Sequence, residues 1–191
     1  MSTPNSTVEQ MFCQRFRSMS RKNKIIYPVP RDYKISALNQ HYIENVIPYL
    51  DKEGVYVLHQ VMLPTLFSML NKYPDVSVWD VVPKYFKKYS ISRNIDEIVS
   101  PDIEKMSIDF VIIKVKKGKI SIIGLEVNGS QHDPFVASTK THQIVCDVVK
   151  QEIMKQLGVK PEAFSHSFRN SGTHGFNGNE IVESFCKKIT R

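Results

Sequence analysis

Hydrophobic and polar positions along the chain predict a mixed α/β protein built around a β-hairpin. Two apolar, β-branched runs, at about 107–115 and 119–127, are joined by the polar turn Lys116–Lys119. A third apolar run at 55–61 predicts another strand. The pattern favours a central mixed sheet flanked by helices.

Apolar residues at helical spacing predict helices on both sides of this hairpin. The strongest begins at about Ser138 or Thr139 and ends at Leu157, where Gly158 is a natural C-terminal stop. Others are predicted at about 37–50, shortly after residue 7, and near the C-terminus. The polar segment 160–178 is predicted to be a loop with one weak strand at 163–168.

Composition narrows the class of protein. The 191 residues are 41% hydrophobic, enough for one domain with a real core. Three scattered cysteines do not form a disulfide framework, which favours a reducing, cytoplasmic location. The first residues lack a signal-peptide apolar region, and no apolar run is long enough to span a bilayer, so no membrane partner is expected.

The formal charge of +7 favours a polyanionic partner, nucleic acid or an acidic surface, and charge alone does not exclude a soluble basic protein without one. Residues 1–36 are interpreted as a basic, helical N-terminal extension, and 37–191 as the main domain, with an insert at about 64–104. The extension is either a phosphate-gripping arm or a solvated tail. Its candidate nucleic-acid contacts are Arg15, Arg17, Arg21, Lys22 and Lys24.

Basic and aromatic residues alternate in the segment 84–89 of the insert, after the lone Trp79. Such interleaving suits a surface that binds phosphates and bases. Core aromatics beside solvated lysines would give the same pattern. The candidate nucleic-acid contacts here are Lys84, Lys87 and Lys88.

Two acidic residues interrupt the apolar strands of the hairpin. Asp109 lies seven residues before Lys116 and Glu126 seven after Lys119, so both are expected at the same end of the hairpin. Converging carboxylates repel unless a cation lies between them. Oxygen ligands of this kind favour Mg²⁺ or Mn²⁺.

Three segments in this order resemble the PD-(D/E)XK nuclease superfamily, most closely its branch of very-short-patch repair and restriction endonuclease-like domains. They are 108–112 (IDFVI), 125–132 (LEVNGSQH) and 147–150 (DVVK). Upstream, Glu44 on a predicted helix and the strand end 60–63 (QVML) fit the same pattern. The resemblance covers about residues 40–160 and implies a restriction endonuclease-like sheet.

By this resemblance, Asp109 and Glu126 are metal ligands, and the Val127 carbonyl and Glu44 are further candidates. The superfamily's lysine is replaced by Asn128, which can position a water but carries no charge. Lys150 is the candidate substitute, against the alternative of a surface ion pair with Asp147. His132 either polarises phosphate or water, or makes a structural hydrogen bond, and Glu44 either binds metal or faces solvent.

The resemblance implies a Mg²⁺- or Mn²⁺-dependent endonuclease that hydrolyses DNA phosphodiester bonds, with RNA as an alternative substrate. The competing hypothesis is a non-cleaving nucleic-acid-binding or complex-forming module, which Asn128 favours. A homodimer or a larger nucleic-acid-processing complex is left open. A zinc site at His142 and Cys146 is a weaker interpretation, because no second pair has suitable spacing.

Overall fold

A computed structural model describes residues 25–26, 55–116, 119–128, 134–135 and 139–165. The described strands are β1 (Ile25–Ile26), β2 (Val55–Met62), β3 (Ser107–Lys116), β4 (Lys119–Asn128) and β5 (Lys160–Ser165). The helices are α1 (Leu63–Leu70), α2 (Val78–Lys88) and α3 (Thr141–Leu157), with short 3₁₀ helices at Ile95–Glu97 and Ile103–Lys105.

The described strands form one mixed sheet in the order β1-β2-β3-β4-β5. The central pairs β2–β3 and β3–β4 are antiparallel, whereas β1–β2 and β4–β5 are parallel. The parallel step from β4 to β5 requires a crossover, which α3 supplies. The predicted mixed α/β class, with a mixed sheet flanked by helices, is confirmed.

Both faces of the central strands are buried. Val111 and Ile113 of β3 belong to the core cluster that includes Val82 of α2 and Val145 of α3. Phe110 and Ile112 on the opposite face of β3 are also buried but lie outside that cluster. Burial on two faces explains why β3 is a nearly continuous apolar run rather than an alternating one.

Gly124 allows α3 to lie close against β4. A Cβ added at this position would collide with the buried Sδ of Met154 and come within 3.3 Å of Val159. The glycine is therefore required by packing. It brings one face of α3 directly over the hairpin.

The ends of α3 differ in how well the sequence predicted them. The helix begins at Thr141, two or three residues later than predicted, where the Thr141 hydroxyl donates to Glu97 Oε2 at 2.8 Å. It ends as predicted at Gly158, whose φ is 77°. The backbone N–H of Val159 then donates to the Met154 carbonyl at 2.8 Å, which closes the helix.

Strand β5 begins at Lys160, so the prediction of a loop from 160 and a strand from 163 was wrong at its start. The left-handed turn at Gly158 delivers the chain directly to the edge of β4, where Ile123 pairs with Lys160. The backbone ladder forms there although the side chains are polar, and Lys160 pairs with Glu162 at 2.6 Å. Pairing partners, rather than side-chain hydrophobicity, set this boundary.

Strand β1 lies within the predicted N-terminal extension and pairs with Val57 and Leu58 of β2. The sequence interpretation did not include this strand. The predicted helices near residue 7, at 37–50 and near the C-terminus lie outside the described residues. Within the described ranges, no helix has the length and apolar character needed to cross a membrane.

Candidate active site

The hairpin β3–β4 brings the two acids to the same end of the sheet. Lys116 pairs with Lys119, and the register continues to Phe110 opposite Leu125. Continuing this register by one step places Asp109 opposite Glu126, and the charge of Asp109 acts on Glu126. Residues directly opposite in an antiparallel pair project to the same face, with Cβ atoms about 5 Å apart. The hairpin and the expected proximity of the acids agree with this register.

Glu126 is buried and paired with Lys150 of α3. The Lys150 Nζ lies 2.8 Å from Glu126 Oε2, and the two side chains are only 12% and 11% exposed. The lysine therefore crosses from the helix to the sheet. The alternative of a surface ion pair does not describe Lys150, because its side chain is largely buried and pairs with Glu126. Asp147 accepts a hydrogen bond from Gln143 Nε2 at 3.2 Å.

The second carboxyl oxygen of Glu126, Oε1, is buried and makes no hydrogen bond within the described part of the chain. An unpaired buried carboxylate oxygen is costly, so the site favours either a proton or a cation at this atom.

Electrostatics in this cluster reflect burial and crowding of charge. Burial raises the pKa of Glu126 to about 7, Lys150 opposes that rise, and the charges of Asp109 and Asp147 add to it. Burial alone would lower the pKa of Lys150, but attraction to Glu126 and the hydrogen bond between them outweigh it and raise that pKa. Lys150 is therefore a fixed cation in the site.

Asp109 is oriented by two linked hydrogen bonds through Gln60 and Ser107, residues that the sequence analysis did not assign to the site. Gln60 Nε2 donates to Asp109 Oδ1 at 2.8 Å, and Ser107 Oγ donates to Gln60 Oε1 at 3.1 Å. Gln60 has a φ of 51° in the middle of β2. A left-handed conformation costs a non-glycine residue about 1 to 2 kcal/mol. The available signal was a polar residue inside an apolar strand.

His59 is a buried titratable side chain within electrostatic range of Asp109. It is fully buried, and its ring lies 5.0 Å from that of Phe110. Burial lowers the pKa of His59, and the charge of Asp109 opposes this only in part. The imidazole is therefore neutral at physiological pH.

Tyr85 of helix α2 lies within electrostatic range of Asp147 of α3. Burial raises the pKa of Tyr85, and Tyr89 and Asp147 raise it further. The rings of Tyr85 and Tyr89 lie 4.6 Å apart, and Lys88 Nζ lies 4.9 Å above the Tyr89 ring. Tyr85 is thus partly buried near the α3 acid Asp147, and Tyr89 beside it is exposed.

The sequence of α2 was interpreted either as a nucleic-acid-binding surface or as core aromatics beside solvated lysines, and its residues include both kinds. Phe86 belongs to the core, whereas Lys84, Lys87 and Lys88 are exposed. Trp79 is 58% exposed. The helix therefore combines a core aromatic with a basic outer face, which leaves nucleic-acid contact as a prediction.

Several predicted site residues lie outside what the structure describes. The backbones of Val127 and Asn128 continue β4 and pair with Phe164 and Ser165 of β5, but their side chains are not described. The other predicted site residues outside the described ranges are Glu44, His132, Arg15, Arg17, Arg21, Lys22 and Lys24. Their proposed roles stay predictions.

The donor set fits a hard divalent cation. Glu126 has an unpaired buried oxygen, and the acids Asp109 and Asp147 both lie within electrostatic range of it. Within the described residues, no group of three or more His, Cys, Asp or Glu side chains gathers closely enough to hold a metal alone. Mg²⁺ keeps several waters and binds through one or two carboxylates, so two acids suffice.

A zinc site at the helix pair has less support. The sulfur of Cys146 lies 3.5 Å from His142 Nε2, and burial raises the pKa of the Cys146 thiol, with the charge of Asp147 adding to that rise. A thiol that resists ionisation is a poor zinc ligand.

No family model, curated protein or solved structure matches this chain. The assignment of function therefore depends on the geometry of the site.

Proposed function

We propose that this protein is a divalent-metal-dependent nuclease with a restriction endonuclease-like sheet, and that its substrate is DNA. The observation that carries this proposal is the buried Glu126, fixed by Lys150 through one oxygen and unpaired at the other. Asp109 across the hairpin would complete the carboxylate pair. The resemblance to the PD-(D/E)XK superfamily supports the same conclusion.

Each residue has a defined task under this proposal. Asp109 and Glu126 would hold Mg²⁺, with the Val127 carbonyl as a further oxygen. A bound Mg²⁺ stabilises charge on a phosphoryl oxygen and makes a nearby water more acidic. Lys150 keeps Glu126 oriented and places a permanent positive charge where a phosphate would approach.

Lys150 can replace the lysine that the superfamily carries where this chain has Asn128. It projects from α3 rather than from β4, yet its Nζ reaches the same carboxylate. Under this proposal the catalytic site needs a cation beside the Glu126 carboxylate, and Lys150 of α3 provides it. Asn128 then keeps at most a water-positioning role.

Cleavage assays with metal controls test the proposal. Purified protein is incubated with supercoiled plasmid and with DNA and RNA oligonucleotides, in Mg²⁺, in Mn²⁺ and in EDTA. Cleavage of DNA only with metal is expected, and Glu126→Ala should abolish it. Glu152→Ala is the matched control, because Glu152 makes an exposed pair with Lys155 on the same helix. Undiminished cleavage by Glu126→Ala would exclude the proposed site.

A non-cleaving binding module is the second candidate, and Asn128 is the observation that favours it. The module would bind DNA equally well in Mg²⁺ and in EDTA and leave both strands intact. The same incubations therefore separate the two functions.

The exposed lysines of α2 are proposed to grip the DNA backbone beside the site, since Tyr85 of this helix lies within electrostatic range of Asp147. Replacing Lys84, Lys87 and Lys88 by glutamine should weaken binding to all sequences. Each lost phosphate contact should reduce the slope of log affinity against log salt by about 0.9. An unchanged slope would place the DNA elsewhere.

A further inference from the structure

The conformation of Gln60 in β2 departs from that of an ordinary strand residue. On either side of it, His59 pairs with Phe110 and Val61 with Ile108. Between these pairs, Gln60 takes a φ of 51°. Non-glycine residues rarely adopt this region, and outliers of this kind concentrate at functional sites.

The outlier also changes which residues of β2 face the helices. Leu58 and Val61 both join the core cluster although they are three residues apart. Strict alternation would place them on opposite faces. The conformation at Gln60 therefore lets the apolar residues on both sides stay buried while a long polar side chain reaches the site.

Hydrogen bonds fix the orientation of the Gln60 amide. The amide nitrogen Nε2 donates to Asp109 Oδ1 at 2.8 Å, and a carboxyl oxygen of this kind is an acceptor. The amide oxygen is then left for the Ser107 hydroxyl, which donates at 3.1 Å. Ser107 and Asp109 lie two residues apart on β3, so this strand supplies both hydrogen-bond partners of the Gln60 amide.

We propose that Gln60, oriented by Ser107, is a positioning residue that fixes the Asp109 carboxylate for divalent-cation binding. The inference rests on the proposed function, since it assigns Asp109 to the metal site. One oxygen of Asp109 is engaged by the amide, so the carboxylate is oriented before a cation arrives. Residues that orient metal ligands typically change metal affinity or activity by about 10- to 100-fold when they are lost.

The test measures Mg²⁺ binding to the full chain by calorimetry without DNA, beside cleavage rates over a range of Mg²⁺ concentrations. Gln60→Gly removes the amide and relaxes the backbone. It should weaken Mg²⁺ binding about tenfold or more. Its cleavage should need correspondingly more Mg²⁺ but approach the wild-type rate when Mg²⁺ saturates. Circular dichroism checks that it folds.

Ser107→Ala and Ser107→Thr provide a second, milder pair of variants. The alanine removes the hydroxyl that holds the amide oxygen and should weaken Mg²⁺ binding several-fold, whereas threonine keeps the hydroxyl and should restore it. Asn71→Gly is the backbone control, because Asn71 has a φ of 49° at the exposed end of α1. It should leave Mg²⁺ binding unchanged.

Folded Gln60→Gly and Ser107→Ala proteins with wild-type Mg²⁺ affinity would overturn the inference while leaving the nuclease proposal intact. If Gln60→Gly does not fold, the Ser107 pair decides. Wild-type protein that binds Mg²⁺ without cleaving DNA or RNA overturns the proposed function, and the Gln60 inference then stands or falls on the binding comparison. Wild-type protein that binds no Mg²⁺ overturns both.

Discussion

Replacing Lys150 by methionine should destabilise the metal-free protein by an amount that grows with pH. Lys150 holds down the pKa of the buried Glu126, which is nevertheless raised to about 7, mainly by burial. Without the ammonium group, that pKa rises further. The folded variant must then keep Glu126 protonated at a pH where the unfolded chain releases the proton.

The size of the effect follows from linkage. Because the folded-state pKa of Glu126 is raised, its contribution to stability is complete below the ordinary value of 4.5 and is lost as pH rises to about 7. In the wild-type protein the loss stops there, since the folded carboxyl also ionises. In Lys150→Met it continues at about 1.4 kcal/mol per pH unit until the higher folded-state pKa of the variant is reached.

The variant should therefore differ from wild type by about 1 kcal/mol at pH 6, for the lost hydrogen bond. By pH 9 the difference should have grown by up to about 3 kcal/mol, within the range measured when a buried ion pair loses one partner.

Urea denaturation in EDTA, followed by circular dichroism at several pH values, measures these differences. Lys155→Met is the matched control, because Lys155 pairs with Glu152 at 3.2 Å on the surface of the same helix. That variant should lose less than about 1 kcal/mol at any pH. A Lys150→Met penalty that does not change between pH 6 and 9 would refute the reasoning.

Three further predictions concern packing and the buried histidine. Gly124→Ala should cost about 1 to 3 kcal/mol in urea denaturation because its Cβ meets Met154, and a smaller residue at 154 should recover part of the loss; an unchanged midpoint would contradict the packing. Gly158→Ala should cost about 1 kcal/mol in thermal melts, since φ is 77° there. Burial lowers the pKa of His59, so wild-type stability should decline as pH falls below 6.5 towards the folded value, and His59→Leu should remove that part of the slope.

The hairpin and its two acids could be predicted because local signals agreed. Apolar β-branched runs of equal length flank a short polar turn, and counting outward from that turn places Asp109 opposite Glu126. The end of α3 was equally predictable, since Gly158 is the residue type that a left-handed helix terminus requires.

The rest of the site depends on contacts between segments distant in sequence. The partner of Lys150 is 24 residues away on another element, and helical spacing alone pointed to Asp147. Gln60, with its φ of 51°, donates to Asp109, which is 49 residues away. Strand β5 forms because β4 offers it an edge, which its polar sequence does not reveal.

The left-handed turn at Gly158 has a consequence for which length changes the domain can tolerate. Because β5 is locked in register against β4, the end of α3 cannot slide. One residue inserted between Lys150 and Gly158 would rotate the lysine by about 100° around the helix axis and carry it away from Glu126. Relatives that keep this ion pair should therefore vary in length before α3 and keep a constant spacing from Lys150 to the turn.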